Sequence, residues 1–315
     1  MATTRTVASV QKDLSLPAIF RTFRRAVIAW YNDNALRMGA SLAYYSLFAI
    51  APVLIVVIAV AGTLFGAEAV RGELVGQIEG LVGVEGGKAV QTLLQGTVLR
   101  GNTILATSIG VVTFVMAACG AFLELQASFN TIWRVKPAPE GQIKEFFLDR
   151  LRSFGLVVAI GFLLMVSLAA SAALSAISTW LGHWAPGVPM LLQIVNIVIS
   201  VLGTAALFMM LFKYLPDVKL AWQDVAVGAA ITAVLFTVGK HLIGLYLGQS
   251  STASSYGAVG SVLVLLLWVY YTSQILLIGA EFTRLYSQRL SGPAEPLPFA
   301  EKTSAPKTTG TALPV

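Results

Sequence analysis

The residues of this chain that could carry acid–base or metal chemistry are few and widely separated. The 315 residues include two histidines, His183 and His241, and one cysteine, Cys119. A single cysteine excludes an intrachain disulfide and a multi-cysteine metal site. Metal-dependent phosphodiester hydrolysis needs clustered His, Asp and Glu, and the sequence has no His-x-His pair, phosphate-binding glycine loop or nucleophile elbow. We therefore predict that the protein is not an enzyme, ribonuclease activity included, and that it uses no metal or cofactor.

Lys240 and His241 stand out because they interrupt an otherwise apolar segment, 222–248. Ionisable residues inside membrane-spanning segments are functional candidates by default. At 1.5 Å per residue, Lys240 lies about 24 Å along a helix from Asp224, near the outer boundary of a membrane. Its ammonium group therefore either snorkels into the headgroups or contacts a substrate or an anionic lipid. His241 is interpreted either as a hydrogen-bonded packing residue or as a proton relay.

A second candidate is the polar half of segment 38–65, which precedes Pro52. Pro52 lacks a backbone donor and obstructs the carbonyl of Phe48, so we expect a kink or a break there. Discontinuous helices with polar flanks form the central site of many transporters. A plain proline kink, with tyrosines bonded to neighbouring helices, explains the same residues. The residues predicted to bind a substrate or a lipid are Tyr44, Tyr45, Pro52, Lys240 and His241.

Two glutamates, Glu124 and Glu281, lie toward the cytoplasmic ends of predicted spans. Arginines at 37, 134 and 284 are close enough in the predicted topology to pair with them. A structural ion pair and a role in coupling both explain such an arrangement. The residues predicted to form structural ion pairs are Arg37, Glu124, Arg134 and Glu281.

The elements that position these residues follow from the apolar composition. Hydrophobic residues make up 57% of the chain and charged residues 11%, with a mean hydropathy of +0.79. A soluble domain carries about 25% charged residues. Crossing a membrane takes about 20 mostly apolar residues. We therefore predict an all-α polytopic membrane protein, a bundle of six transmembrane helices at about 38–65, 103–126, 155–181, 190–212, 222–248 and 256–285.

The positions of lysine and arginine predict the orientation of this bundle. Nearly all of the 21 basic residues fall in the N-terminal segment, the loops after the second and fourth spans, or the tail; the others are Arg71, Lys88, Arg100 and Lys240. Basic residues mark the cytoplasmic side. Both termini are therefore predicted in the cytoplasm, with the protein in the cytoplasmic (inner) membrane. Because topology explains the net charge of +6, we predict no nucleic-acid partner.

The segments outside the spans have patterns of their own. Residues 15–34 and 138–154 have the spacing of basic amphipathic helices at a membrane interface, although ordinary packing against the bundle explains them equally well. The pattern of residues 66–102 predicts an outer helical hairpin that breaks near Gly83, Gly86 and Gly87. We predict disorder for residues 1–14 and for the proline-rich tail at 291–315, with the membrane domain at 15–290.

Several short motifs occur in order along the chain. They are Ala40 to Phe48 with Ala51-Pro52, Ser128 to Val135, Tyr214-Leu215-Pro216, Tyr256-Gly257, Trp268-Val269-Tyr270 and Gly279-Ala280-Glu281. Together they resemble the YihY/BrkB family of bacterial inner-membrane proteins, historically labelled ribonuclease BN-like, over about residues 20–290. The resemblance implies six spans, and members have been discussed as virulence-associated proteins and candidate exporters. It implies little definite chemistry.

Two classes of function remain open. The leading hypothesis is a transporter, exporter or lipid flippase whose substrate is a lipid, a lipid-linked molecule or a small polar solute. Without a P-loop, it would be driven by an ion gradient or a partner ATPase. The alternative is a non-transporting scaffold that binds a membrane or periplasmic protein partner, supported by the predicted outer hairpin and a paucity of buried charge. Membrane lipids are partners in either case.

Overall fold

The computed structural model describes residues 16–97, 120–137, 188–249 and 258–303, and these are mostly helical. The helices are α1 (Leu16–Asn32), α2 (Ala35–Phe65), α3 (Ala67–Val82), α4 (Val84–Thr97), α5 (120–133), α6 (Val188–Tyr214), α7 (Trp222–Gln249) and α8 (Ala258–Ser291). Four short strands follow α5, α6 and α8: β1 (Val135–Pro137), β2 (Val218–Lys219), β3 (Glu295–Pro296) and β4 (Ala300–Lys302).

Three of the described helices are long and apolar enough to cross a membrane. Their qualifying windows are Ile197–Tyr214 in α6, Trp222–Tyr246 in α7 and Gly260–Ser291 in α8. They coincide with the fourth, fifth and sixth predicted spans, and α2 covers the first. Most of the second predicted span lies outside the described residues, as do the third, the amphipathic segment at 138–154 and the N-terminal residues 1–14.

Helix α2 runs without interruption through Pro52, from Ala35 to Phe65. Of the two outcomes expected at this proline, a kink or a break, the break is therefore wrong. A proline removes one hydrogen bond from a helix, and the remaining bonds of this helix, together with its packing against α3, α4 and α8, maintain the helical backbone. The hypothesis of a transport site in this span therefore loses the support that a discontinuous helix would have given it.

Helices α7 and α8 approach closely through a reciprocal pair of glycines and threonines. Gly228 of α7 faces Thr283 of α8, and Gly279 of α8 faces Thr232 of α7. Each threonine hydroxyl donates to the carbonyl of the glycine four residues before it, at 2.7 Å in both helices. The hydroxyls are thereby satisfied inside their own helices. Small residues at such positions let two helix backbones come together.

An aromatic core holds α5 against α6 and α7. Phe129 stacks on Trp133 with ring centroids 5.6 Å apart and planes 6° apart, and it packs against Phe212 at 5.8 Å. Phe208 continues the contact to Phe236 at 5.7 Å. Aromatic pairs add roughly 0.5–1.5 kcal/mol each beyond the area they bury. These aromatic contacts fix the C-terminal end of α5, and polar residues follow that end in the chain.

Helices α3 and α4 form the predicted helical hairpin. The break between them is at Gly83, whose φ of 87° is in the region that favours glycine. Gly86 and Gly87, which were also predicted near the break, lie inside α4. On α4, Ala89, Val90 and Leu94 are buried in an apolar cluster with Ile58 of α2. The hairpin therefore packs against the bundle, as a cap would. Its placement on the outer side stays a prediction.

The tail after α8 is ordered through residue 303, so the prediction of disorder from residue 291 is wrong for this part. Strand β3 pairs antiparallel with β2, and β4 pairs antiparallel with β1. The Leu297 amide also donates to the Asp217 carbonyl at 3.0 Å, and the Thr303 amide to the Arg134 carbonyl at 2.8 Å. The proline-rich composition of the tail predicted disorder. Composition alone does not show that the loops after α5 and α6 have backbone groups that pair with this tail. Residues 292–303, the C-terminal strap, thus join the loops after α5 and α6.

We expect removal of the C-terminal strap to loosen both loops. A chain ending at Gly292 should unfold at a lower temperature, with faster amide exchange at residues 135–137 and 218–219, because the backbone bonds to the strap are lost. A chain ending at Thr303 is the matched control, since it keeps every described strap contact. Equal exchange in the two truncated proteins would contradict a bracing role. Hydrogen exchange by mass spectrometry on purified protein measures the difference.

Candidate functional site

Asp33 lies in the short link between α1 and α2, at one end of the bundle. The turn is tight because the next residue, Asn34, has a φ of 56°, a left-handed conformation that asparagine tolerates well. The Asp33 amide closes α1 by donating to the Ala29 carbonyl at 2.8 Å. Its carboxylate is buried, with only 1% of the side chain exposed. A buried carboxylate requires a cation or hydrogen-bond donors.

Arg134 supplies that cation from the end of α5. Its Nη2 donates to Asp33 Oδ1 at 2.6 Å. The residue itself has a φ of 59°, a left-handed conformation that costs a non-glycine residue about 1–2 kcal/mol. The same residue accepts the Thr303 amide on its carbonyl. Arg134 therefore ties three segments together: the α1–α2 link, the end of α5 and the C-terminal strap.

A second ion pair lies within α8. Arg284 donates to Glu281 Oε2 through Nη2 at 2.7 Å and Nε at 3.1 Å. Glu281 is fully buried and Arg284 nearly so. Both guanidinium nitrogens use the same carboxylate oxygen, so Glu281 Oε1 receives no donor from Arg284. The pair lies inside the candidate span Gly260–Ser291.

The two ion pairs meet through their carboxylates. The carboxylates of Asp33 and Glu281 are close enough to interact electrostatically. The remaining oxygens, Asp33 Oδ2 and Glu281 Oε1, are buried and have no donor in the described structure. Asp33, Arg134, Glu281 and Arg284 form what we call the charge cluster. Its formal charge is balanced, but its hydrogen bonding is incomplete.

A polar pair lies beside the charge cluster, where α1 approaches α8. The Trp30 indole donates to Gln274 Oε1 at 3.1 Å, and a Cβ added at Gly39 would collide with the Gln274 amide. Gln274 Nε2 is buried with no acceptor. Buried polar groups without partners are few in native structures. This end of the bundle therefore concentrates several of them.

Asp217, in the loop between α6 and α7, anchors a second polar contact. Asn130 donates through Nδ2 to Asp217 Oδ2 at 2.6 Å and accepts the Asp217 amide on Oδ1 at 2.9 Å. Gln126 donates to Asp217 Oδ1 at 3.1 Å. Burial raises the pKa of Asp217 above its ordinary value of 3.8, while the bonds from Asn130 and Gln126 work in the opposite direction. The contact fixes α5 to the loop that β3 pairs with.

A protein-family model described as "Virulence factor BrkB" matches residues 27–303, which is most of the chain and includes every residue of the charge cluster. The chain belongs to the BrkB family. This confirms the family resemblance seen in the sequence, and it makes the protein a membrane protein of that family.

Relatives of this BrkB-family chain carry the description "UPF0761 membrane protein". One from Pseudomonas aeruginosa is 28% identical over 263 residues, covering 82% of this chain and 61% of the relative. One from Teredinibacter turnerae is 27% identical over 289 residues, with 90% and 65% covered. One from Vibrio vulnificus is 28% identical over 275 residues, with 85% and 83% covered. The chain thus spans about three-fifths of the length of the Pseudomonas relative. No solved structure matches this chain.

Three of the BrkB-family motifs quoted above contribute to the polar contacts described here. The motif from Ser128 to Val135 supplies Asn130 and Arg134, and Tyr214-Leu215-Pro216 leads directly into Asp217. The motif Gly279-Ala280-Glu281 supplies the helix contact and the carboxylate of the cluster. Two of these motifs thus take part in polar contacts between segments far apart in the chain, Arg134 with Asp33 and Asn130 with Asp217.

Two of the four residues predicted to form ion pairs do so. Glu281 pairs with Arg284, a partner that the sequence predicted, and Arg134 pairs with Asp33, which it did not. Arg37 is exposed and Glu124 is half-buried, and neither forms an ion pair with another described residue. Asp33 was missed because an Asp-Asn link between helices reads as an ordinary turn signal.

The predicted binding residues do not form one site among the described contacts. Tyr44 and Tyr45 are exposed on α2 and touch edge to face at 5.6 Å. On α7, Lys240 is half-buried and His241 is exposed, its Nδ1 2.7 Å from the Thr237 carbonyl. No described hydrogen bond, ion pair or ring contact joins the tyrosines to Lys240. A binding role for these residues and for Pro52 stays a prediction.

The close contact between α7 and α8 has a recognisable pattern in the sequence that was not used to predict it. Gly228 and Thr232 in α7, and Gly279 and Thr283 in α8, are both small residues spaced four apart, which is the spacing typical of closely packed membrane helices. Asn130 and Asp217 had no such signal, since their pairing depends on the approach of α5 to a distant loop. Among the described residues, no group of three His, Cys, Asp or Glu side chains is placed to hold a metal.

Proposed function

We propose that this BrkB-family chain is a transporter, exporter or lipid flippase of the cytoplasmic membrane and that the charge cluster is its switching element. The observation that carries the proposal is the position of Glu281: fully buried in a candidate span, bonded to Arg284 and in electrostatic contact with Asp33. Ionisable residues within spans are costly and mark substrate or ion pathways. The substrate is a lipid, a lipid-linked molecule or a small polar solute.

The energetics of the cluster favour a functional role over a purely structural one. Replacing a buried ion pair with well-packed apolar residues is often neutral or stabilising. Four buried or half-buried charges are therefore a poor way to hold helices together. The incomplete bonding of Asp33 and Glu281 adds to the cost. A site that changes its pairing during a transport cycle accounts for both features.

The contacts also favour the six-span topology with both termini in the cytoplasm. Two segments joined by hydrogen bonds lie on the same side of a membrane, so an even number of crossings separates them. Such bonds join Asp33 to Arg134, Asn130 to Asp217, and the C-terminal strap to both loops. Two predicted spans between each pair of joined points meet this condition, and the six-span prediction is consistent with the contacts. The basic flanks favour the cytoplasm for this side.

The proposal is tested first by ligand binding. Purified protein in mild detergent is heated with a panel of lipids, lipid-linked sugars, osmolytes and cations. A ligand at 100 times its dissociation constant should add about 2.7 kcal/mol to the free energy of unfolding if it binds only the folded state. Flux of the stabilising ligand is then measured in proteoliposomes that carry the wild type or the neutral variant Glu281→Gln/Arg284→Gln.

We expect the neutral variant to fold but to lose at least tenfold in flux. The matched control is Lys219→Gln/Glu295→Gln, which neutralises an exposed pair whose charged atoms are 3.8 Å apart and should transport like the wild type. A flat response across the panel, or equal flux in the wild type and the neutral variant, would contradict the switching role.

A non-transporting scaffold is the second candidate. The observation that favours it is the hairpin of α3 and α4, which packs against α2 while one side of each helix stays exposed. Its other support, a paucity of buried charge, is wrong, because the charge cluster buries both charges of one ion pair and the carboxylate of a second. A membrane or periplasmic protein that co-purifies with the full chain but not with a chain lacking 67–97 would favour the scaffold.

A further inference from the structure

The register of α2 against α8 brings Asp33 to the level of Glu281. The two helices are antiparallel, because the second half of α2 shares an apolar cluster with the first half of α8. Near the start of α2, Gly39 faces the side chain of Gln274. Asp33 lies six residues before Gly39, and Glu281 lies seven residues after Gln274. Packing thus agrees with the electrostatic contact between the two carboxylates.

Each carboxylate of this pair has one bonded oxygen and one free oxygen. Arg134 donates to Asp33 Oδ1, and Arg284 donates to Glu281 Oε2. The Asp33 side chain is 1% exposed and that of Glu281 0%. The other oxygens, Asp33 Oδ2 and Glu281 Oε1, are buried without a donor in the described structure. A buried acceptor without a donor costs about 1–3 kcal/mol, so the pair lacks a donor that serves both oxygens.

The charges around the pair are those of the charge cluster itself. Arg284 acts on Glu281 from α8, and Arg134 acts on Asp33 from the end of α5. The titratable groups that the other helices carry toward this end of the bundle are exposed or bonded elsewhere: Arg25 and Tyr31 of α1, Arg37 of α2, Lys213 of α6 and Asp224 of α7. Two carboxylates close together in a buried site disfavour each other's ionised form.

A proton fits between these carboxylates better than a metal ion does. Calcium takes about six to eight oxygen ligands, and no third carboxylate, thiol or imidazole of the described residues joins the pair. Two guanidinium groups would also repel a metal ion. A proton needs only two oxygens, because a protonated carboxyl donates to the free oxygen of its neighbour. The added positive charge is partly hydrated, since the Arg134 side chain is 28% exposed.

We infer that Asp33 and Glu281 share one proton between Oδ2 and Oε1, and that this proton is the coupling ion of the transport cycle. In the protonated state, an O–H bond of one carboxyl donates to the other carboxylate, and the charge cluster carries a formal charge of +1. On release, the proton passes to water on the side where Arg134 is exposed, and the formal charge returns to zero. The proton site needs no substrate; only its use in coupling rests on the proposed function.

Infrared spectroscopy of the purified full chain tests the site without a substrate. Spectra are recorded at about pH 6, above the ordinary range of aspartic and glutamic acids. The first variant is Asp33→Asn, whose amide keeps an acceptor for Arg134 and supplies a donor for Glu281. The second is the neutral variant, Glu281→Gln/Arg284→Gln. The matched control is Glu301→Gln, which alters an exposed carboxylate 4.0 Å from Lys136 Nζ.

The wild type and Glu301→Gln should show the carbonyl band of one protonated carboxyl that is missing from both Asp33→Asn and the neutral variant. Circular dichroism should agree across the four proteins, which excludes misfolding as the cause. An equal band in the wild type and Asp33→Asn would overturn the site. Loss of the band in only one of the two variants would overturn the sharing. A water or a metal ion between two ionised carboxylates gives no such band in the wild type, and that result would also overturn the proposal.

The coupling is tested separately in proteoliposomes, with the ligand that stabilises the protein. An imposed pH gradient should change flux through the wild type and Glu301→Gln by about fivefold or more, the lower end of ordinary coupling between two sites. Flux through Asp33→Asn should be the same with and without the gradient. Wild-type flux that ignores the gradient would overturn the proton as the coupling ion. A carboxyl band without flux of any ligand would instead contradict the proposed function and leave the proton site in place.

Discussion

Arg284→Gln should sharply reduce the folded yield of the protein. The change removes both donors of Glu281 Oε2 and leaves a fully buried carboxylate beside that of Asp33. Breaking a buried ion pair by removing one partner costs about 3–5 kcal/mol, a large part of the 5–15 kcal/mol that typically stabilises a protein. Thermal unfolding in detergent, followed by size-exclusion chromatography, measures the loss.

The neutral double variant, Glu281→Gln/Arg284→Gln, shows how much of the lost stability comes from leaving one buried charge without its partner. Because both charges are gone, most of the stability lost in Arg284→Gln should return. Arg37→Gln is the control, since Arg37 is exposed and unpaired among the described residues, and it should change stability by no more than about 0.5 kcal/mol. If Arg284→Gln is as stable as the wild type, the pair is not held in a dry site, and the switching role loses its physical basis.

Gly279→Ala should push α7 and α8 apart and destabilise the protein by about 3 kcal/mol, near the upper end for an overpacked core. A Cβ at residue 279 would lie 2.9 Å from Thr232 Cβ. Neither helix can yield easily, because the reciprocal contact of Gly228 with Thr283 Cα, 3.1 Å from a Cβ built at 228, holds them at the same spacing. A lowered melting temperature measures the effect.

The control for Gly279→Ala is Gly244→Ala on α7, where an added Cβ meets no atom within 4 Å. It should be neutral or stabilise by up to about 1 kcal/mol, because alanine favours a helix. The two changes therefore have opposite expected signs. Adding Thr232→Gly to Gly279→Ala removes the clashing Cβ and should recover part of the loss. A stable Gly279→Ala protein would show that α7 and α8 are not packed through this contact.

The sequence predicted the long helices well, because apolar length is a local property. Segment 222–248 corresponds to helix Trp222–Gln249, and segment 190–212 to Val188–Tyr214. Of the three glycines predicted near the break of the hairpin, Gly83 ends a helix, with a positive φ that favours glycine, while Gly86 and Gly87 do not. Such features need no knowledge of the rest of the fold.

The parts that failed depend on segments distant in the chain. Asp33 becomes a buried ion-pair partner only because residue 134, 101 positions later, comes beside it. The C-terminal strap becomes ordered only because two loops present free backbone to it. The break expected at Pro52 does not occur, because the helix that contains this proline packs against several other helices. Local patterns cannot contain such information.

The C-terminal strap also has a consequence for the order of synthesis. Residues 292–303 are the last of the described chain to leave the ribosome, yet they complete the pairing of loops made 80 and 160 residues or so earlier. Those loops must therefore wait for their strand partners until the final span is inserted. If that span were to enter the membrane in the wrong direction, its tail would emerge on the opposite side and could not pair. The strap would therefore distinguish a correctly inserted chain from an inverted one, and cellular proteases would meet unpaired loops only in the latter.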